Sequence, residues 1–220
     1  MTHLAWLPDE VLYSAINELE ERASLAREKA GQRMLQNTVD PFTSLMIAHT
    51  YRVGSPKELQ DLQETASAQS GVASAVGHFH QQILGSIEGW TNHDAGYDLE
   101  NRNARIVAEI KNKHNTMNAT NRNQVQADLD TAVQQKGRNW RGYLVIIIPR
   151  TPARYEKRLE NCTRPVYEID GASFYTLATG GVQTALHDLY TITASMLQQK
   201  YSMACEISEY CKAQLIESIP

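Results

Sequence analysis

Residues 97–115 read YDLENRNARIVAEIKNKHN, and the placement of charge within them decides the fold. Alternate residues of a strand share a face. A strand through "ARIVAEIKN" (104–112) therefore points Arg105, Val107, Glu109 and Lys111 one way and Ile106, Ala108 and Ile110 the other, into the core. A tight turn over residues 102–105 folds the preceding residues back antiparallel. Pairing Arg102 with Arg105 then sets Asp98 opposite Glu109, with Cβ atoms about 4.5–5.5 Å apart. Two carboxylates at that distance repel unless something positive lies between them. A divalent cation answers the need: hard oxygen ligands suit Mg²⁺, which retains waters and takes further ligands from phosphate. Lys111, on the same face, reaches the same place, where it orients a water or neutralises charge on phosphate. The Ile110 carbonyl lies between the two side chains as a further metal ligand. These are the parts needed for metal-assisted hydrolysis of a phosphodiester.

Working outward, the first 90 residues read as helical. Leu12, Ile16, Leu19, Ala23, Ala26 and Ala30 recur at steps of four and three, with Asp9 and Glu10 in the first turn, where they favour the helix dipole. Pro41 marks a break, "PFTSLMIAHTYRV" is a second apolar segment, and Ser55 ahead of Pro56 opens a further helix. From Gly89–Trp90 the texture changes. "TNHDAGYD" is turn-rich, and "GYLVIIIPR" (142–150) and "PVYEID" (165–170) join 104–112 as strands. "NQVQADLDTAVQQKG" is a helix ending near Gly137, a turn is expected at Asp170–Gly171, and the remainder of the chain is helical. The continuously apolar "LVIIIP" run fits a strand covered on both faces by helices. The expectation is one domain over 1–220, with a mainly helical part (1–90) and a core with C-terminal helices (91–220).

Composition narrows the class. The 220 residues are 42% hydrophobic and 21% charged, as in an ordinary globular protein. There is no apolar run of about 18 residues, so no transmembrane span, and no secretory signal in "MTHLAWLPDE"; a cytoplasmic protein is expected. Cys162, Cys205 and Cys211 are odd in number and widely spaced, against a disulfide framework or a zinc site. Residues 101–164 hold 13 Lys/Arg against 5 Asp/Glu, a balance of +8, which leaves −12 for the rest of a chain whose formal charge is −4. A basic middle in an acidic chain suits a polyanion in a cleft, and equally a solvated charged face.

"GYDLENRNARIVAEIKNKHNTMN", a helix, "YLVIIIPR" and then "YEIDGASFYTLATGG" resemble the type II restriction endonucleases of the Eco47II/Sau96I kind, within the PD-(D/E)xK nuclease superfamily. The resemblance covers roughly residues 85 to 200, with Tyr97 where the superfamily pattern has Pro. It implies an α/β PD-(D/E)xK restriction-endonuclease-like core, a central mixed β-sheet flanked by helices, with a helical N-terminal part. It also implies Mg²⁺-dependent cleavage of both strands of double-stranded DNA at a short palindrome, GGNCC or a relative, by a homodimer that leaves 5′ phosphates. Asp98 and Glu109 become metal ligands and Lys111 the catalytic lysine. An acidic or amide residue from the preceding helix is often added in the superfamily, which nominates Glu88, with Gln81 or Gln82 behind it. The rivals are a structure-specific repair or recombination nuclease and a catalytically inactive DNA-binding protein on the same fold.

Lys113, His114, Asn115, Thr116, Asn118, Asn121, Arg122 and Asn123 form a dense donor cluster after the motif, fit for bases and phosphates but also for an ordinary turn. Arg138, Arg141, Arg150, Arg154, Lys157, Arg158 and Arg164 are further backbone-binding candidates. His78 and His80 lack the four-residue spacing of a helical zinc pair, Asp94 is a candidate second metal carboxylate that fits a turn better, Glu168 and Asp170 are read with the turn at Asp170–Gly171, and "ATGG" lacks the lysine of a phosphate-cradling loop.

Overall fold

A computed structural model of the chain describes residues 2–36, 40–201, 205–212 and 215. Its elements run α1 (Asp9–Glu28), α2 (Ala30–Gln36), α3 (Pro41–Thr50), α4 (Pro56–Gly85), β1 (Trp90–Asn92), β2 (Leu99–Asn101), β3 (Ile106–Lys113), α5 (Ala119–Lys136), β4 (Arg141–Ile148), β5 (Glu156–Arg158), β6 (Val166–Asp170), α6 (Gly171–Ala178), α7 (Ala185–Tyr201) and α8 (Cys205–Lys212). They form two compact units, Ile16–Phe79 and the remainder (Met1–Ala15 with His80–Pro220).

The larger unit is built on a six-stranded mixed sheet in the order β1-β2-β3-β4-β6-β5. β1, β2 and β3 are antiparallel, β3, β4 and β6 are parallel, and β5 returns antiparallel on β6. The parallel steps need long connections, and α5 supplies the first. Asn118 caps α5, its side chain accepting from the Asn121 N–H, and Gly137 ends the helix at φ 97°, a conformation that costs glycine little. The expectation of an α/β fold with a central mixed sheet and a helical N-terminal part holds.

Both faces of the central strands are covered. Val107, Leu144, Ile146 and Val166 pack with Leu129, Ala132 and Val133 of α5. On the opposite face Tyr143 stacks on Tyr167 at 5.7 Å and meets Phe174, whose ring takes Trp90 edge-on at 5.3 Å. Val107, expected on the polar face, is fully buried because α5 lies over that face and leaves water only toward the carboxyl end of β3.

The turn expected at Asp170–Gly171 is instead the start of α6. Asp170 caps it, accepting from the Ser173 N–H at 2.8 Å, while its second oxygen accepts from the Tyr155 N–H at 2.6 Å. Gly171 is required by close approach, since a Cβ there would stand 2.5 Å from the Ile147 carbonyl oxygen. All three cysteines are free, and no described helix is long and apolar enough to cross a membrane.

His80 sits in this core, its Nδ1 hydrogen-bonded to the Tyr175 hydroxyl at 2.9 Å. Burial lowers its pKa from 6.5 to about 4. The unfolded chain therefore takes up a proton that the folded chain refuses, and stability present above pH 6.5 drains away as pH falls toward about 4. At ~1.4 kcal/mol per unit the full loss is about 3 kcal/mol. Urea unfolding of His80→Gln is expected to be flatter by that amount over this window than that of the wild type; parallel curves would show that His80 does not govern the acid limb.

Candidate active site

The hairpin adopts the register expected from the turn. Leu99 pairs Ala108, Glu100 pairs Val107 and Asn101 pairs Ile106, closed by the Arg105 N–H donating to the Arg102 carbonyl at 3.3 Å. Arg105 takes φ 57°, and the Asn101 side chain accepts from the Ala104 N–H at 2.9 Å to hold the turn. The ladder ends one step before the expected Asp98–Glu109 pair. There the Asp98 N–H donates to the Ala108 carbonyl at 3.0 Å, and the Ile110 N–H donates to the Asp98 carboxylate at 2.6 Å. Amide and carbonyl of an extended residue point to the same edge. The Ile110 carbonyl therefore also faces the edge that β2 has vacated, beside Asp98.

Glu109 and Lys111 share the α5 face of β3, with the Lys111 ammonium donating to the Glu109 carboxylate at 2.6 Å. Their side chains are 17% and 25% exposed, enough to meet a ligand and too little for full hydration. Burial raises the Asp98 pKa despite the Ile110 N–H, the Lys111 charge and a hydrogen bond from Gln81. Burial also raises that of Glu109, and the Asp98 charge adds to it. A half-buried pair of like charges with one lysine beside it is short of positive charge. Among the described residues no three His, Cys, Asp or Glu side chains assemble into a metal site. Two carboxylates and a carbonyl still fit a hard cation of the Mg²⁺ kind, which is bound through one or two carboxylates and completed by water and substrate phosphate.

Of the helix candidates, Gln81 on α4 reaches Asp98, Gln82 is half-buried on the same helix, and Glu88 lies exposed in the turn before β1. Asp98 and Glu109 line a cavity of about 230 Å³ with His93, Asp94 and, from α5, Asp128. Asp128 adds to the charge that raises Glu109, and nothing in its sequence neighbourhood marks it. Lys111 opens instead onto a cavity of about 440 Å³ lined by Thr116, Met117, Asn121, Gln124 and Val125.

The donor cluster lies at the carboxyl ends of parallel strands β3 and β4, where open α/β sheets bind ligands. Lys113, His114, Asn115, Thr116, Asn121 and Asn123 are exposed there. Two members have internal tasks: Asn118 caps α5, and Arg122 pairs with buried Glu168. Lys157 also pairs with Glu168, and Arg154 donates to Thr176 and to the Gln183 carbonyl. His78 pairs with Glu18 rather than with a metal partner at His80.

Beside Asp98, Tyr97 stands where the superfamily pattern has a proline. Its hydroxyl donates to Glu100 at 2.5 Å and its ring packs on His93 at 4.8 Å. Glu100, 1% exposed, also takes Lys136 at 2.5 Å, Arg102 at 2.9 Å and His93 at 3.3 Å. Burial alone would raise its pKa, but the bonds from Lys136, Tyr97 and Arg102 hold it at about 2.

The family model for Eco47II restriction endonuclease matches residues 4–201. The type II restriction enzyme Eco47II of Escherichia coli is 32% identical over 206 residues, covering 87% of this chain and 85% of that enzyme. The type II restriction enzyme Sau96I of Staphylococcus aureus is 30% identical over 125 residues, 54% of this chain and 46% of that enzyme.

The raised carboxyls also set a pH dependence. A carboxyl that holds its proton more tightly when folded stabilises fully below its unfolded pKa, and that contribution is lost as pH rises through the raised value. In EDTA at pH 8, Asp98→Asn is therefore expected to melt above the wild type, by roughly 2–4 °C per kcal/mol relieved. Added Mg²⁺ should raise the wild-type melting temperature and leave the variant's unmoved. Equal melting in EDTA would mean that the pair carries no electrostatic strain.

Proposed function

Because the chain belongs to the Eco47II restriction endonuclease family, a family of type II site-specific deoxyribonucleases, we propose that Asp98, Glu109 and Lys111 are its active site. The substrate is double-stranded DNA carrying a short palindrome, GGNCC or a relative, and the product ends carry 5′ phosphates. The protein acts in the cytoplasm as a homodimer, each copy cutting one strand, because a two-fold pair matches the symmetry of a palindrome. What supports the reading is the convergence of two desolvated carboxylates and a lysine at the carboxyl end of β3, beside an exposed ring of donors.

In this mechanism Asp98, Glu109 and the Ile110 carbonyl would hold Mg²⁺, and Gln81 steadies Asp98. The cation, when bound, supplies charge neutralisation at phosphate and a lowered pKa for coordinated water. Lys111 is already tethered to Glu109, so its ammonium is fixed at the mouth of the site, where it orients the attacking water and offsets charge on the phosphate oxygens. The new bond joins the water oxygen to phosphorus and the bond to the 3′ oxygen breaks; the attacking water gives up a proton to solvent, the 3′ oxygen takes one from solvent and leaves as a hydroxyl, and the phosphate stays on the 5′ side. Lys113, His114, Asn115, Thr116, Asn121 and Asn123 lie within the same rim and contact the DNA. Arg122 and Asn118 help by fixing the helix that carries part of it.

Glu109→Ala removes a ligand and the Lys111 tether together. Plasmid cutting with Mg²⁺ should fall by at least ~10³-fold, near the loss from removing one preorganised electrostatic contact. Sequence-specific binding in a gel-shift assay should persist. A variant that cuts at the wild-type rate would displace the site from this strand. Sequencing the fragment ends from the wild-type digest reads both the palindrome and the stagger.

A further inference from the structure

Helix α3 has apolar side chains on both its inner and its outer face. Its sequence PFTSLMIAHT contains no Asp, Glu, Lys or Arg, and none of its residues is fully buried. It is nonetheless a well-signalled helix, with Pro41 in its first turn and Asp40 accepting from the Phe42 and Thr43 N–H groups. One stripe, Ser44, Ile47 and Ala48, is half-buried, and the Ser44 hydroxyl accepts from Gln63 of α4 at 3.0 Å. The other stripe, Phe42, Leu45, Met46 and His49, follows the i, i+3, i+4, i+7 spacing of a packing face, yet it points to solvent. Phe42 is 79% exposed, Leu45 67% and Met46 58%, and Tyr51 just beyond the helix is 68% exposed. A cluster of large apolar side chains left facing water marks a surface that packs against a partner.

We propose that this outward stripe is where a second copy of the chain docks, α3 against α3 across a two-fold axis. The inference rests on the homodimeric reading above and adds the surface. Three observations favour a second copy over another occupant. Under two-fold symmetry the same patch lies on both sides of the contact, so a charged stripe would repel itself and an uncharged one does not. Phe42, Leu45, Met46 and Tyr51 of two copies remove on the order of 1,000 Å² from water, about the area a specific interface requires. Each chain also carries one set of Asp98, Glu109 and Lys111, whereas a duplex has two strands to cut.

The test is sedimentation of the full-length protein at micromolar concentrations, free and with a duplex carrying its site. The wild type is expected to be a dimer. Leu45→Glu with Met46→Glu sets four like charges at the axis and should weaken the dimer by about 100-fold or more, the scale of like-charge juxtaposition in an interface. Circular dichroism should be unchanged, because both positions face water in the single chain, while the melting temperature should lose the concentration-dependent part that the dimer supplies. On supercoiled plasmid the variant should accumulate nicked circles before linear product. Met46→Leu, which keeps the stripe apolar, should stay dimeric. A charged variant that dimerises like the wild type overturns the surface and leaves the homodimer standing. A wild-type chain that is monomeric both free and on DNA overturns both.

Discussion

A slip of one residue between β2 and β3 would turn Asp98 to the opposite face of the sheet from Glu109 and Lys111. The four-residue turn after Asn101 prevents it. Arg105 in the left-handed region and the Asn101 side chain on the Ala104 N–H fix the turn, the turn fixes the pairing, and the pairing delivers the Asp98 carboxylate to the Ile110 N–H. β4 and β6 then extend the same sheet in parallel from β3, the strand whose partner in the hairpin is three residues long.

Two carboxylates, two residues apart on one side of that hairpin, have opposite fates. Glu100 is almost sealed from water and fully served, by a tyrosine hydroxyl, two cations and a histidine, and its pKa drops to about 2. Asp98 receives a backbone N–H and an amide, stands beside Glu109, and its pKa rises. Since both are desolvated, the difference lies in the number and charge of donors supplied. The local structure thus satisfies the carboxylate that holds the Asp98 loop and leaves unsatisfied the pair that faces the cavity. Such a contrast within a few residues is how a stable scaffold keeps a binding site poised.

That contrast was only partly legible in the sequence. The register could be found because period two and a short turn leave little freedom, and the buried β4 because LVIII is a short, β-branched apolar run closed by Pro149. Val107, Asp128 and the Lys136–Glu100 pair could not, since each depends on where α5 lies across the sheet, a long-range packing result. The choice among Gln81, Gln82 and Glu88 turned on helical phase near the end of α4. Gln81, which meets Asp98, lies within α4, whereas Glu88 falls beyond the helix end at Gly85 in an exposed turn. Asp170–Gly171 carried a turn signal that serves equally as a helix cap, and only the proximity of Ile147 distinguishes the two.

Helix α5 is moored at both ends by ion pairs whose acidic partner is shielded from solvent. Arg122 in its second turn holds Glu168, and Lys136 in its last turn holds Glu100, the carboxylates being 6% and 1% exposed. Mobile ions weaken pairs between solvated charges far more than pairs shielded in this way. The scaffold should therefore be nearly indifferent to ionic strength over a range in which contacts between lysine or arginine and phosphate are strongly weakened. Under the proposed function, the slope of binding against salt concentration would then count phosphates neutralised at the rim, without an added contribution from a loosening frame.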